Sequence, residues 1–159
     1  MRLRRLTIPV FMLLVPAYVC LAEEGAQKIT REFEVDYDGT LTLKTERGAV
    51  RVSTGRGKQL KVVVTKKLPF GWGHSEELDE FLVEFEQSGD DVTVIGKYPG
   101  QSGWDRIRRR LQVRYEIIVP KAYNLDIETS GGSIEVAAID GNVSAETSGG
   151  SIDLGYVKG

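Results

Sequence analysis

The sequence predicts an all-β protein in which stacked β-sheets pass into a C-terminal strand repeat. Several segments alternate apolar and polar residues, which is the period of a half-buried strand. The segment at residues 124–136 recurs at residues 142–154, an offset of 18. A fainter copy lies at residues 41–52. One short helix is expected near residues 75–81.

The first 22 residues have the composition of a secretory signal peptide. Three arginines lie within the first five residues, and residues 6–21 are apolar apart from Thr7. Cys20 and Ala22 then place small residues at the −3 and −1 positions of a cleavage site. We expect cleavage after Ala22, export to the periplasm or the cell surface, and a single domain over residues 23–159.

Two other interpretations of this segment stay open. Its apolar run of about 16 residues is shorter than the ~20 that a membrane-spanning helix needs. Membrane contact is therefore expected only if the segment stays uncleaved. Cys20 follows an apolar stretch, as lipidated cysteines do, but Val19 stands where such sites carry Gly, Ala or Ser. Lipidation is the lesser alternative.

The composition argues against two classes of site. Cys20 is the only cysteine, so the mature chain would form neither a disulfide nor a thiolate metal site. The signal segment holds three of the 21 basic residues and none of the 23 acidic ones, so its removal moves the formal net charge from −2 to −5. A mildly acidic exported protein is a poor candidate for nucleic-acid binding.

The C-terminal repeat has the pattern of strand, turn and strand. Leu125 and Ile127 alternate with acidic residues, and the Gly-Gly pair at 131–132 supplies the positive φ of a tight turn. Units at residues 124–141 and 142–159 can then stack as layers about 4.8 Å apart. Because one layer cannot bury its apolar side alone, stacking supplies the stability. We expect the equivalent residues Ile134 and Ile152 both to be buried.

The early copy at residues 41–52 aligns with the repeat at an offset of 84. Gly48 falls on the second glycine of the Gly-Gly pair, and Leu41 and Leu43 fall on apolar residues. Since 84 is not a multiple of 18, we interpret this segment as a related unit rather than as part of the same continuous array.

The middle of the chain predicts a short helix between strands. Ser75 is a suitable N-cap for a helix that ends near Phe81, and a strand then runs to about Gln87. Gly89-Asp90 predicts a hairpin turn into a strand at residues 92–95. The other strongly β-prone runs are residues 59–65 and 111–119.

The Gly-Gly-Ser-Ile repeats, the Tyr-Glu-Ile-Ile-Val-Pro segment at residues 115–120 and the Gly48 unit resemble a family of bacterial exported proteins called "putative adhesins", related to head-GIN domains. The resemblance covers roughly residues 29–159. It implies a right-handed β-solenoid-like or stacked β-sheet domain outside the cytoplasm, and it says little about activity. Longer members carry more repeats, so we expect either a truncated array or a partner that covers the open edge at Gly159.

No residue set points to catalysis. His74, the only histidine, lies in a glycine-rich loop without a Gly-x-Ser-x-Gly elbow and is expected to be a surface residue. Glu128 and Glu146 would lie one layer apart, which leaves glycoside hydrolysis by paired carboxylates as an alternative. Their strand parity places them outward beside Asp126 and Ser144, so we expect a solvated face.

The repeat turns also lack the chemistry of a metal site. Calcium-binding solenoid turns carry aspartates within their glycine-rich sequence, whereas these turns read Thr-Ser-Gly-Gly-Ser-Ile. Their hydroxyls are expected to bond turn backbone groups. The sequence thus predicts no catalytic residue, no cofactor and no metal ligand.

A basic cluster is the strongest local charge feature, and it consists of Arg106, Arg108, Arg109, Arg110 and Arg114. It could hold an acidic glycan or anionic lipid, or it could be a solvated patch paired with the acidic residues 76–86, which we favour. Trp72 and Trp104 lie in glycine-flanked loops, where they could stack on sugars or close the ends of the core.

The sequence therefore predicts a non-enzymatic extracytoplasmic β-repeat protein that acts by surface interaction, in adhesion or envelope scaffolding. The expected partner is a cell-envelope protein or glycan, and the C-terminal repeat also allows edge-to-edge self-association. One alternative is a carbohydrate-active enzyme, which carboxylates about 5–10 Å apart in a groove would favour. Another is an envelope-stress accessory protein that binds a second protein.

Overall fold

The computed structural model describes residues 25–69, 76–99 and 111–159, and it confirms the all-β class. Two large sheets share one apolar core. The N-terminal strands are β1 (Ala26–Glu34), β2 (Thr40–Thr45), β3 (Ala49–Gly55) and β4 (Gln59–Lys67), followed by helix α1 (Glu76–Glu80). The remaining strands are β5 (Leu82–Ser88), β6 (Asp91–Lys97), β7 (Gln112–Pro120), β8 (Asn124–Thr129), β9 (Ile134–Val136), β10 (Ile139–Asp140), β11 (Val143–Thr147), β12 (Ile152–Leu154) and β13 (Val157–Lys158).

Each large sheet changes from antiparallel pairing at one end to parallel pairing at the other. The six-stranded sheet has the order β1-β4-β7-β3-β9-β12, and the five-stranded sheet has the order β11-β8-β2-β6-β5. Pairs β1/β4, β4/β7 and β5/β6 are antiparallel, and the pairs toward β12 and β11 are parallel. Strands β10 and β13 form a short parallel sheet of their own.

The alternation in the sequence accounts for the core. Along β7, alternate side chains are buried, and Tyr115 and Ile117 lie at its centre with at most 1% exposure. The paired strand β4 contributes Leu60, Val62 and Val64, all fully buried. The two sheets thus bury one face each and leave their other faces polar.

The predicted helix and hairpin are present in the described residues. Helix α1 packs Leu78 into the core, and buried Phe81 follows it directly. The Nζ of Lys66, itself buried, donates hydrogen bonds to the carbonyls of Leu78 at 2.6 Å and Phe81 at 2.9 Å. Gly89 adopts a φ of 62° in the turn between β5 and β6. The predicted N-cap, Ser75, lies outside the described residues.

The two C-terminal repeat units pair in the predicted register. Strand β8 pairs with β11 so that Leu125 lies opposite Val143, and β9 pairs with β12 so that Ile134 lies opposite Ile152. Strands β10 and β13 pair in the same way. All three ladders are parallel, and each joins residues 18 apart in the sequence.

The early unit is related to the repeat, as expected, and it is also the direct neighbour of the first repeat in both sheets, although strands β4–β7 separate the two in the sequence. Strand β2 pairs with β8, which sets Leu41 opposite Leu125, and β3 pairs with β9. Strands β4–β7 join the two sheets on the sides of β3 and β2 away from the repeats. The chain then forms β8 beside β2 and β9 beside β3. We call residues 40–52 layer 1, residues 124–141 layer 2 and residues 142–159 layer 3.

Candidate functional site: the edge of layer 3

A column of glycines brings the three layers into contact at their turns. Gly48, Gly132 and Gly150 have φ angles of 133°, 140° and 131°. A Cβ on Gly132 would collide with the carbonyl oxygen of Gly48, and a Cβ on Gly150 would collide with that of Gly132. Glycine is therefore required at Gly132 and Gly150 both for the positive φ and for the close approach of backbones, whereas a Cβ on Gly48 would meet the ring of Tyr115.

A matching column of threonine hydroxyls ties each turn to the layer before it. Thr129 Oγ1 donates to the Gly48 carbonyl at 3.1 Å, and Thr147 Oγ1 donates to the Gly132 carbonyl at 2.9 Å. These contacts confirm the expectation that the turn hydroxyls bond backbone groups. The recurring Thr-Ser-Gly-Gly sequence is thus a stacking motif.

Each layer also presents backbone donors to the layer that follows it. Five N–H groups of layer 2 donate to carbonyls of layer 3 at 2.7–3.0 Å, and they belong to Leu125, Gly132, Ile134, Ile139 and Gly141. The residues 18 positions later are Val143, Gly150, Ile152, Val157 and Gly159. By the same geometry their N–H groups face away from layer 2, at edges where the described part of the chain places no further strand.

Apolar exposure is concentrated at the same edge. Ile152 is 43% exposed, Leu154 44%, Val157 37% and Tyr156 72%. The layer 2 counterparts of the first three are Ile134, Val136 and Ile139, with at most 2% exposure. Ile134 is buried as predicted. The prediction that Ile152 is buried is wrong, because no described residue covers layer 3 as layer 3 covers layer 2.

The opposite ends of both sheets have a different chemistry. Strand β1 ends the six-stranded sheet and carries the exposed side chains of Lys28, Glu32 and Glu34. Strand β5 ends the five-stranded sheet and carries exposed Glu84 and Glu86. Charged side chains on an edge strand discourage pairing with another chain. Strand addition is thus disfavoured at β1 and β5.

The candidate carboxylate pair lies on an exposed sheet face, as the strand parity predicts. Glu128 is directly opposite Glu146 in the β8/β11 ladder, and both side chains are exposed. On its other side, Glu128 lies 3.6 Å from the Nζ of Lys44. Asp126 and Ser144 occupy the same face. None of these residues lines either surface cavity described below.

The larger surface cavity, of about 610 Å³, lies among the loops that end β1 and precede β4. Lys58 Nζ lies 2.8 Å from an oxygen of Asp36. The hydrogen bond from Lys58, with one from the Tyr37 N–H, lowers the pKa of Asp36. Asp90 accepts a hydrogen bond from the backbone N–H of Asp36 at 2.8 Å. Lys58 and Asp36, two of the charged residues that line this cavity, are thus paired with each other.

The smaller cavity, of about 230 Å³, lies on the outer face of the six-stranded sheet. It contains Arg114, the one described member of the predicted arginine cluster, near the Arg51–Glu135 pair at 2.8 Å. The other members, Arg106, Arg108, Arg109 and Arg110, lie outside the described residues, as do His74, Trp72, Trp104 and the signal segment. A binding role for the cluster stays a hypothesis.

Among residues 25–69, 76–99 and 111–159, no three His, Cys, Asp or Glu side chains lie close enough to share a metal ion. In the same part of the chain, no helix has both the length and the apolar character needed to cross a bilayer.

No family model matches the chain, and no curated protein matches it. A solved structure described as a "putative cell adhesion protein" from Clostridium sporogenes is 14% identical, with a TM-score of 0.56. The match covers 81% of this chain and 60% of that chain, so this chain spans less than two thirds of its length. At this identity the likeness shows a shared fold alone.

Two further solved structures are similar over comparable lengths. A "putative adhesin" from Bacteroides fragilis is 12% identical and covers 82% of this chain and 61% of that chain, with a TM-score of 0.32. A "putative lipid binding protein" from Parabacteroides distasonis is 14% identical and covers 82% and 67%, with a TM-score of 0.31. These scores are too low to carry an argument. The relation to head-GIN domains stays a prediction.

Proposed function

We propose that the chain is a non-enzymatic extracytoplasmic protein that acts by surface interaction, in adhesion or in scaffolding of the cell envelope. One observation carries the proposal: layer 3 combines exposed apolar side chains with unpaired strand edges on a single surface. Strand edges supply backbone hydrogen bonds to an added polypeptide, and apolar side chains supply buried area. Among the described residues, layer 3 is therefore the surface that a further polypeptide strand could join.

The proposal includes a solenoid-like arrangement of the C-terminal layers. It is supported by the ladders at an offset of 18, and by the glycine and threonine columns that continue from layer 1 to layer 3. The right-handed sense of the coil rests on the family resemblance alone.

Export is the second part of the proposal. The composition of residues 1–22 supports it, as does the name of the C. sporogenes structure, which refers to cell adhesion. We expect mass spectrometry of the protein from an exporting host to give Glu23 as the first residue. An intact N-terminus on the protein from the periplasm or medium would contradict this.

The chemistry of layer 3 favours a polypeptide partner over a glycan. Its outward N–H and C=O groups have strand spacing, and three of its exposed side chains, Ile152, Leu154 and Val157, are aliphatic, beside the single exposed ring of Tyr156. The rival proposal, a carbohydrate-active enzyme, would place Glu128 and Glu146 in a groove, whereas both lie on an exposed sheet face.

The test compares binding of three full-length proteins to envelope fractions and to a glycan array. Leu154→Glu places a charge on the layer 3 edge. Ile118→Glu is the matched control, because Ile118 is 41% exposed on β7, opposite Lys61, and away from layer 3. Wild type and the control are expected to bind an envelope protein fraction, and Leu154→Glu to lose binding at least about tenfold. Turnover of a glycan without retained binding would overturn the proposal.

A further inference from the structure

We infer that the smaller cavity, on the outer face of the six-stranded sheet, binds a small zwitterion whose carboxylate and ammonium groups are separated by a short chain. This inference goes beyond the proposed function. It uses no residue of layer 3, because the residues that line the cavity belong to β3, β7 and layer 2. The two proposals are therefore tested at different surfaces.

Two small residues form the floor of this cavity. Ala49 lies opposite Arg114 in the β3/β7 ladder, and the carbonyl of Ser133 accepts a hydrogen bond from the Val50 N–H at 2.9 Å. The adjoining positions of the same face carry long charged side chains, so the sheet surface has a depression of about 230 Å³. This volume is below the roughly 300–1,000 Å³ of pockets for drug-sized molecules, and the ligand must therefore be small.

One pair of charges at the cavity is compensated within the protein. Arg51 lies opposite Glu135 in the β3/β9 ladder and donates to one oxygen of its carboxylate, from Nε at 3.0 Å and from Nη2 at 2.8 Å. Glu116 lies opposite Arg51 on the other side, in the β3/β7 ladder, and no hydrogen bond joins these two side chains. The charge of Arg51 is thus offset by Glu135.

The two other charges of the lining are available to a ligand. Arg114 and Glu116 are exposed and lie on the same face of β7, two residues and hence about 7 Å apart. Within residues 25–69, 76–99 and 111–159, neither side chain forms an ion pair or a hydrogen bond. The Arg114 guanidinium is a donor fork for a carboxylate, and the Glu116 carboxylate accepts hydrogen bonds from an ammonium group.

The lining favours a ligand that carries both charges. A simple anion would lie near the carboxylates of Glu116 and Glu135, and a simple cation would lie near the guanidinium groups of Arg51 and Arg114. Each is therefore repelled by part of the cavity, whereas a zwitterion can place each charge beside its opposite. None of the described residues that line the cavity is aromatic, so a sugar ring would find no apolar platform there.

The exposure of Arg114 and Glu116 sets the expected affinity and its salt dependence. Ion pairs between exposed groups are weak and are screened by salt. We therefore expect a dissociation constant on the order of 1–10 mM at low ionic strength, and several-fold weaker binding at about 0.5 M salt.

Amide NMR spectra of the full chain, expressed with its own N-terminal segment in an exporting host, test the inference. The probes, titrated at low ionic strength, are the zwitterion γ-aminobutyrate, the anion butyrate, the cation butylammonium and the neutral sugar glucose. γ-Aminobutyrate is expected to shift the amide signals of Ala49, Arg114 and Ser133 saturably. Butyrate and butylammonium, which lack one charge each, are expected to bind about three- to fivefold more weakly, and glucose more weakly still.

Variants that remove one charge show which groups bind the probe. Arg114→Gln and Glu116→Gln are each expected to weaken γ-aminobutyrate binding about three- to fivefold. Glu116→Gln is also expected to reduce the preference for γ-aminobutyrate over butyrate to less than about twofold, which a merely structural role would not do. Lys67→Gln removes a positive charge from β4 of the same sheet, outside the cavity, and is expected to leave the affinity unchanged. The dispersion of the amide signals shows whether each variant is folded.

The inference is overturned if γ-aminobutyrate shifts none of the three amide signals, if butyrate or butylammonium binds as tightly, or if glucose binds more tightly. It is also overturned if Arg114→Gln and Glu116→Gln both bind γ-aminobutyrate as wild type does, because the probe then lies elsewhere. None of these results bears on envelope binding by layer 3, which Leu154→Glu tests separately.

Discussion

The two glycines of each Gly-Gly pair in the repeat have different roles. Gly132 has a φ of 140° and leaves no room for a Cβ beside Gly48, whereas a Cβ on Gly131 would meet no atom within 4 Å. Because the sequence shows only the pair, it predicts a tight turn without indicating which glycine allows the layers to approach.

This difference predicts unequal effects of two alanine substitutions. We expect Gly132→Ala to lower the free energy of unfolding by roughly 2–4 kcal/mol, since it combines backbone strain with a steric clash. Gly131→Ala is expected to change it by less than about 1 kcal/mol. Urea denaturation measures both. Equal losses would show that the turn-to-turn contact does not determine stability.

We expect the protein to lose stability at alkaline pH because two tyrosines are buried in its core. Burial raises the pKa of Tyr123 to about 12 and raises the pKa of Tyr115 as well. The unfolded chain ionises its tyrosines near pH ~10, while the folded chain keeps both protonated. Rising pH therefore favours unfolding, and we expect the free energy of unfolding to fall between about pH 10 and pH 12.

Denaturant titrations at several pH values measure this slope, and Tyr123→Phe is the informative variant. Its hydroxyl donates to the Asp90 carbonyl, so the variant is expected to be less stable at neutral pH and to show a shallower alkaline slope. An unchanged slope would contradict the assignment to Tyr123.

At the scale of elements, equivalent strands of the repeat differ in burial. Strand β9 lies between β3 and β12, whereas β12 has a neighbour on one side. We expect Ile134→Asp to unfold the repeat, with a loss of about 4 kcal/mol or more, because it buries an unpaired charge. Ile152→Asp is expected to cost about 1 kcal/mol or less. Thermal denaturation distinguishes them, and equal losses would contradict an open edge at β12.

Helix α1 depends on a buried lysine that the sequence pattern does not single out. Lys66 donates to the carbonyls of Leu78 and Phe81, which lie at the C-terminal end of the helix. We expect Lys66→Met to release this segment and to speed chymotrypsin cleavage between residues 68 and 82 several-fold. Lys67→Met, at the exposed neighbouring position, is the control and is expected to leave the rate unchanged. Equal rates in all three proteins would refute the capping role.

Much of each element could be predicted because the determining signal is local. The alternation of apolar and polar residues at 111–119 predicts both ends of β7 to within one residue. The positions of Glu128 and Glu146 in the alternating pattern of their strands predict that both side chains face outward. The stacking of layer 1 on layer 2 could not be predicted, since strands β4–β7 intervene in the sequence. The sequence does not predict the exposure of Ile152, because the burial of this side chain depends on whether another layer covers it rather than on the residue type.

At the scale of the molecule, the two sheets have chemically different ends. One end is antiparallel, at β1 and β5, and the other is parallel, at β11 and β12, where Ile152 and Leu154 are exposed. In the proposed function, the partner contacts the end that carries layer 3. This asymmetry, rather than a cavity, is the structural basis of the proposed function.

The most direct test of the exposed layer 3 edge in this chain is amide hydrogen exchange, resolved by residue. In dilute solution we expect the Ile134 amide, which donates to the Ser151 carbonyl at 2.9 Å, to be protected and the Ile152 amide to exchange rapidly. An Ile152 amide as protected as that of Ile134 would contradict the account.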